Sequence, residues 1–286
     1  MTGSRLRGRR AVVTGASRGI GAAVAERLAA EGADVAITAR TVDHHDHLPG
    51  SLRETAARLA TYGTKVAVVA ADLADEHDRA RVIPEVIDAL GGPIDILVNN
   101  AAAAMYHRLR DFPLKRRRLL FEVNVHATLD LVQAMLRDGG SGGHRDRWVV
   151  NLSSGAARPW EGPPFDLGVT GTTITVYGAS KLALNRITNG LGAELYGTGV
   201  RVNTVEPRAA VSTEGADALV GSSLSPDQFE SMEEMVEAVL ALCDCPEDVT
   251  GRSFVSLDLL TEWGLTPRSV DGSTQAATSD SGGVSR

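Results

Sequence analysis

The segment Arg10-Ala11-Val12-Val13-Thr14-Gly15-Ala16-Ser17-Arg18-Gly19-Ile20-Gly21 decides how the rest of the chain is read. Arg10 to Thr14 is a short β-rich run, and Ile20 to Ala30 is an Ala-rich helical run closed by Gly32 as a C-cap. The turn between them carries Gly15, Gly19 and Gly21 in the spacing G-x-x-x-G-x-G. Glycine lets a backbone turn sharply and come close to a ligand. A helix N-terminus aims free N–H groups and the positive end of its dipole at an anion. Strand, glycine-rich turn and helix, in that order, are what a dinucleotide pyrophosphate requires.

The same alternation continues outward. Asp34 to Thr38, Lys65 to Ala71, Asp95 to Asn99, Arg147 to Leu152, Val200 to Val205 and Ser253 to Leu257 read as further strands. Capping boxes at Ser51-x-x-Glu54 and Ser231-x-x-Glu234 open two of the intervening helices. Pro113 fits the first turn of a long helix reaching about Arg137, Pro84 either kinks its helix or opens it, and Tyr177 to Tyr196 is a further helix. Strands alternating with helices predict an α/β, single-domain Rossmann fold: a doubly wound parallel sheet of about seven strands with helices on both faces. Residues 8–260 are expected to form that domain. Gly139 to Gly143 is a flexible connector, and residues 271–286 hold too little apolar surface to offset their ordering entropy, so a disordered tail is expected there.

The chain has 286 residues, 43% of them hydrophobic and 23% charged, enough for one large core. A net charge of −7 argues against general binding to nucleic acid or anionic membrane, and no apolar run approaches a bilayer span. No secretory signal is read at the N-terminus, so a cytoplasmic protein is expected. Cys243 and Cys245 are too close together to bridge and too few for structural zinc, which fits a reducing compartment. His44, His45 and His47 cluster in a polar loop, and no metal site is assigned to them. The basic run Lys115-Arg116-Arg117-Arg118 reads as a solvated helix face, with a phosphate or partner contact as the alternative.

Tyr177-Gly-Ala-Ser-Lys181 places a phenol and an ammonium at i and i+4, on one helix face. A phenol with pKa of about 10 is a poor acid–base group at neutral pH, and a nearby cation stabilises its anion. Together with the glycine turn, this pair resembles the short-chain dehydrogenase/reductase family, whose fingerprint is Thr-Gly-x-x-x-Gly-x-Gly followed by Tyr-x-x-x-Lys. The resemblance covers about residues 8 to 260, with the motifs in order. It implies a coenzyme site formed by Gly15, Ser17, Arg18, Gly19, Ile20 and Gly21, by Asp72 and Leu73 against the adenine, and by Asn100, Ala101 and Ala102. That last group replaces the final Gly of Asn-Asn-Ala-Gly by Ala. Tyr177, Lys181 and Pro207 complete it, with Val211 and Thr213 one residue later than the usual register and Arg208 where a Gly is usual.

At the end of the second strand an NAD site carries a carboxylate for the adenosine ribose. Here Ala39-Arg40 offers a guanidinium suited to a 2′-phosphate, and Arg18 reaches toward it from the glycine turn, which implies NADP(H). The resemblance also assigns Asn124 to a water-mediated proton relay toward Lys181 and Ser154, or else Ser153, to orienting the substrate oxygen. Ser154 and Tyr177 are separated by 23 residues rather than about thirteen. The extra stretch, within 155–176, reads as a substrate wall or as a surface excursion.

The expected reaction is hydride exchange between NADP(H) and a small-molecule carbonyl or alcohol substrate. A non-catalytic NADP(H)-binding regulator and a reductase of imines or activated C=C bonds are the alternatives. The stretch Val211 to Gln228 suggests small or medium apolar carbonyls rather than anionic acyl carriers. The resemblance implies a homodimer or homotetramer.

Overall fold

The structure is a computed structural model that describes residues 5–44, 48–137, 146–165, 167, 171–208, 210–211, 213 and 229–273. Its strands are β1 (Arg10–Thr14), β2 (Asp34–Ala39), β3 (Val66–Ala70), β4 (Ile96–Asn99), β5 (Arg147–Leu152), β6 (Val200–Glu206), the short β7 (Ala210–Val211) and β8 (Phe229–Glu230), and β9 (Ser253–Val255). Its helices are α1 (Gly19–Ala30), α2 (Leu52–Leu59), α3 (Glu76–Leu90), α4 (Leu114–Phe121), α5 (Ala127–Arg137), α6 (Thr175–Glu194), α7 (Met232–Leu242) and α8 (Ser256–Glu262). Seven strands form one parallel sheet in the order β3-β2-β1-β4-β5-β6-β9. The order reverses between β1 and β4, and the crevice outside the strand ends at such a switch point is where an open α/β sheet binds ligands.

Period-two alternation assigns each strand residue to one of two cores. Ala11 and Val13 of β1, Val35 and Ile37 of β2, and Ile96 and Val98 of β4 pack with Val24 and Leu28 of α1 and Met235 and Val239 of α7. Val12, Ala36 and Leu97 point the other way, against Val82 and Val86 of α3 and Leu131 and Met135 of α5. The seven-strand doubly wound sheet expected from the sequence is therefore present.

Local differences have local causes. The stretch 253–257 is a strand only to Val255. From Ser256 onward the buried residues are Ser256, Leu259 and Leu260, a helical spacing, and α8 follows. Asp75 caps α3 by accepting from the His77 and Asp78 N–H groups, so the helix begins early and Pro84 falls in its interior, with its ring on the exposed side. Pro113 caps α4 from just outside it. The long helix expected from Pro113 to Arg137 is divided by a single π-helical turn, Glu122–His126. By length and composition alone the segment Leu114–Arg137 is long and apolar enough to cross a membrane, at mean hydropathy 1.2, so one stretch does approach a span. Its apolar side is turned inward, with Leu120, Val125, Leu131, Val132 and Met135 buried.

The connector at 139–143, His45 and His47, and the tail beyond Ser273 lie outside the described residues. Both cysteines are free and buried, and burial pushes both thiols upward, Cys245 to about 12. Among the described residues no cluster of His, Cys, Asp and Glu has the makings of a metal site.

Candidate active site

The glycine turn is bolted to the end of β4. Thr14 Oγ1 accepts from the N–H groups of Asn100 (3.0 Å) and Ala101 (2.9 Å), and Asn100 Nδ2 donates to the Thr14 carbonyl at 2.8 Å. This contact leaves no room for side chains: a Cβ on Gly21 would lie 2.3 Å from Asn100 Nδ2 and 2.5 Å from the Gly15 carbonyl. Gly19, at φ 55°, opens α1 in the left-handed region. Arg18 is the N-cap and makes no side-chain cap, and no acidic residue stands in the first turn. The N–H groups at the head of α1 are thus uncompensated by the chain itself, which fits a pyrophosphate. Gly21 serves the site by this packing; it does not line the cleft.

Arg18 donates through Nε to the Pro49 carbonyl (2.7 Å) and through Nη2 to the Gly50 carbonyl (2.8 Å). It therefore ties the segment after β2 to the glycine turn. A Cβ on Gly50 would be 2.7 Å from the Ser17 carbonyl, so that approach is close. Arg40 is exposed and forms no hydrogen bond or ion pair with other described residues.

From there a single cleft of about 750 Å³ runs along the strand ends. Its lining includes Gly15, Ser17, Arg18, Gly19, Ile20, Arg40, Asp72, Leu73, Asn100, Ala101, Ala102, Ser154, Tyr177, Lys181, Pro207, Val211 and Thr213. Every residue that the sequence reading placed at the site is therefore in one wall or another, except Gly21 and Asn124.

The chemical end is set by how α6 lies along β5. Lys181 Nζ donates to the Leu152 carbonyl (2.6 Å), Asn185 Oδ1 accepts from Ser153 Oγ (2.6 Å), and Thr188 Oγ1 accepts from Asn151 Nδ2 (2.8 Å). These partners recur about every helical turn on one face of α6. Ser153 is thereby engaged away from the tyrosine, while the Ser154 hydroxyl hydrogen-bonds Tyr177 and also accepts from the Ala156 N–H at 3.2 Å. The turn after Ser154 approaches α6 at Gly178, where a Cβ would lie 2.2 Å from the Ala156 carbonyl. The 23-residue separation does not displace Ser154, because the extra residues loop outward. Residues 158–165 are mostly exposed, and no described residue of the stretch 155–176 lines the cleft.

Burial dominates the electrostatics. It pushes the Tyr177 phenol to about 12, with the Ser154 hydrogen bond pulling down and Tyr106 and Glu206 pushing further up. Burial lowers Lys181 to about 8, still cationic at neutral pH. The sequence pattern suggested that Lys181 would draw the phenol downward. In the free protein the ammonium is directed at the Leu152 carbonyl, and burial prevails at Tyr177. Asn124 lies in the π-helical turn behind the cleft. Its Oδ1 accepts from the Ala103 N–H (2.8 Å), and its Nδ2 donates to the Ala103 carbonyl and to Ser180 Oγ (both 2.9 Å). Ser180 in turn donates to the Tyr177 carbonyl at 2.7 Å. The Asn124 side chain thus fixes the loop after β4 to the tyrosine's own helix.

The sequence reading missed that loop. Ala103, Ala104, Met105 and Tyr106, with Leu119 and Val123, form an apolar wall beside Tyr177, and the Tyr106 and Tyr177 rings are 5.8 Å apart, tilted by 52°. The available signal was position: an apolar run directly after a strand's C-terminal end in a doubly wound sheet.

Comparison with known proteins agrees with this geometry. The family described as short chain dehydrogenase matches residues 9–220. The chain is 31% identical over 271 residues to hydroxysteroid dehydrogenase-like protein 2 of Danio rerio, covering 91% of this chain but 60% of that protein, so it spans well under two thirds of that relative's length. Among solved structures, a short chain dehydrogenase from Burkholderia cenocepacia J2315 in complex with NADP is 32% identical, with TM-score 0.72 over 88% of this chain and 97% of that one. A short chain dehydrogenase from Mycobacterium thermoresistibile is 28% identical, with TM-score 0.78 over 91% of this chain and 89% of that one.

Two outcomes are expected. Gly178→Ala should push the Ser154 turn away from Tyr177 and lower kcat by about 100-fold, the scale of an ångström-sized misplacement, with coenzyme affinity unchanged; unchanged kcat would mean the turn accommodates a methyl group freely. In the coenzyme-free protein, the tyrosinate absorbance difference between the natural chain and Tyr177→Phe should develop only above pH 10, toward 12. A difference complete by pH 10 would contradict the burial argument.

Proposed function

This chain belongs to the short-chain dehydrogenase family and is an NAD(P)-dependent oxidoreductase by that membership, and from this premise we propose that it exchanges hydride between NADP(H) and a carbonyl/alcohol pair, with Tyr177 as the acid–base group. The observation that carries the reading is the contact of Ser154 with Tyr177 at one end of a cleft whose other end is the glycine turn. The names of two relatives, hydroxysteroid dehydrogenase-like protein 2 and a putative NAD(P) dependent gluconate 5-dehydrogenase from Beutenbergia cavernae, both point to alcohol oxidation, which supports an alcohol as the reduced partner.

The nicotinamide, when bound, supplies or receives the hydride. Gly15, Ser17, Arg18, Gly19 and Ile20 would hold the pyrophosphate at the head of α1, with Gly21 packed behind them, and Asp72 and Leu73 would meet the adenine. Asn100, Ala101 and Ala102, with Pro207, Val211 and Thr213, wall the nicotinamide half. Arg40, exposed and without an ion-pair partner among described residues, would take the 2′-phosphate. Arg18 supports it by holding residues 49 and 50 in place.

In the reducing direction Ser154 donates a hydrogen bond to the substrate oxygen and orients it. The Tyr177 Oη proton passes to that oxygen as the carbon accepts hydride, which leaves an alcohol, oxidised coenzyme and a phenolate. A phenol pushed up to about 12 by burial is protonated at neutral pH, the form that donates, but it is a weaker acid than a free phenol, so the transfer depends on a cation stabilising the phenolate that forms. The phenolate then stands beside the buried Lys181 ammonium, which stabilises it until a proton returns from solvent. Lys181, which lines the cleft and donates to the Leu152 carbonyl at the strand end, would also meet the ribose hydroxyls in this reading. Asn124, through Ala103 and Ser180, keeps the apolar wall at a fixed distance from Tyr177.

The test is oxidation of NADPH against a panel of aldehydes, ketones and quinones. Tyr177→Phe should bind NADPH as tightly as the natural chain and lose about 100- to 10,000-fold in turnover, the usual contribution of a general acid. Tight NADPH binding without turnover of any carbonyl would favour a binding regulator instead. Arg40→Ala should weaken NADPH by about 10- to 100-fold, the scale of one charge-assisted contact, and leave NADH nearly unchanged. An unaltered NADPH/NADH ratio would remove the 2′-phosphate assignment.

A further inference from the structure

We propose that a second cavity, beside the cleft, holds an anionic group at the far end of the substrate, so that the substrates are carbonyl or alcohol compounds with an apolar body and a terminal carboxylate or phosphate. This rests on the carbonyl/alcohol reading above and specifies its substrate class.

The cavity measures about 710 Å³ and is lined by Ala74, Met105, Lys115, Arg116, Arg118, Leu119 and Glu122. Met105 and Leu119 also line the main cleft, where they belong to the apolar wall beside Tyr177. The two cavities are therefore neighbours across Met105 and Leu119, and in the proposed arrangement the substrate's apolar body passes over these two side chains to the cations. The charge balance in the cavity is one-sided. Its one lining carboxylate, Glu122, is paired with the Arg79 guanidinium at 2.6 Å, and Arg79 is itself buried. Arg116 Nη1 lies 2.9 Å from His107 Nε2, a contact with no carboxylate in it. Lys115 and Arg118 form no ion pair with any described residue. Uncompensated cations at one cavity, in a chain whose net charge is −7, depart from the general surface.

The coenzyme's own anions do not account for this cavity. The pyrophosphate belongs at the head of α1 and the 2′-phosphate at Arg40, and none of Lys115, Arg116 and Arg118 lines the main cleft. The anion these residues suit is consequently a second one, reached over Met105 and Leu119. Guanidinium and ammonium groups both accept carboxylate or phosphate, so the class is defined by its terminal negative charge. Lys115, Arg116 and Arg118 are exposed, as on a solvated helix face, and in the proposed subsite they take the anion contact that was the alternative reading; most of Val211 to Gln228 lies outside the described residues.

The test uses the full chain loaded with NADP+ and calorimetric titration with alkyl phosphates and alkyl carboxylates of increasing chain length, with alkan-1-ols and inorganic phosphate as controls. Affinity for both anion series should rise with chain length until the charge reaches the cavity. It should fall about tenfold in the double variant Lys115→Gln/Arg118→Gln, the loss expected for a charge-assisted contact. Binding of the alkanols should not change, and Arg110→Gln, an exposed cation outside both cavities, should change nothing. Inorganic phosphate bound as tightly as the alkyl phosphates would show a free anion site and overturn the substrate assignment. Equal affinities for natural and double-variant chains would overturn the subsite itself. The readout is binding, so a failed turnover panel would count against the reaction and leave this result standing.

Discussion

Lys181 is a buried ammonium held by a backbone carbonyl, Leu152, at 2.6 Å. That contact, repeated down α6 by Asn185 with Ser153 and by Thr188 with Asn151, sets the rotation and height of α6 on the sheet. Asn99 extends the network by donating to Asn151 Oδ1 at 2.8 Å, so β4, β5 and α6 share one set of buried hydrogen bonds. Such a network tolerates little slippage, because each member left unpaired in the interior costs about 1–3 kcal/mol. A shift of α6 by one residue would turn Tyr177 out of the cleft and leave Ser153 and Asn151 without partners. The active-site geometry is therefore a by-product of satisfying buried polar groups, and it exists before any ligand binds.

The same burial explains the titration behaviour. Tyr177 and Lys181 are both removed from water, so the phenol is pushed up to about 12 and the ammonium down to about 8, which separates two groups that have nearly equal proton affinity in solvent and makes the phenol the one that holds its proton more tightly. A proton donor whose conjugate base meets a cation already desolvated needs little reorganisation when charge develops, which is the preorganisation argument applied to a proton. Ser154 alone pulls the phenol downward in the free protein, and its position depends on Gly178 admitting the Ala156 carbonyl.

Much of this was legible in the sequence, and for identifiable reasons. Strand alternation and the three glycines of the first turn are local signals that fix the sheet and the phosphate end. Tyr177 and Lys181 are four residues apart, so a helix alone brings them together. What escaped was non-local or irregular. The π-helical turn at Glu122–His126 has no period that sequence displays, yet it carries Asn124, whose side chain bonds Ala103 and Ser180, contacts that no local motif announces. The choice between Ser153 and Ser154 depends on Asn185, more than thirty residues away. The apolar wall from Ala103 to Tyr106 has no regular secondary structure, and the periodicity rules pass over it.

These two kinds of element divide the site by function. The parts that carry the reaction lie on β1, β4, β5 and α6, which are held by buried hydrogen bonds and by glycines that a methyl group would displace. On the proposed reading, the parts that meet the substrate beyond its reacting carbon lie on the loop after β4 and on α4, whose cations are exposed and form no ion pair with described residues. Changes in the second set alter charge and shape where no buried bond is broken, so they can redirect the choice of substrate at little risk to the fold. Changes in the first set disturb chemistry and folding together. If the proposed subsite holds, such a division keeps the Tyr177–Lys181 geometry fixed while Met105, Tyr106, Lys115 and Arg118 vary what is presented to it.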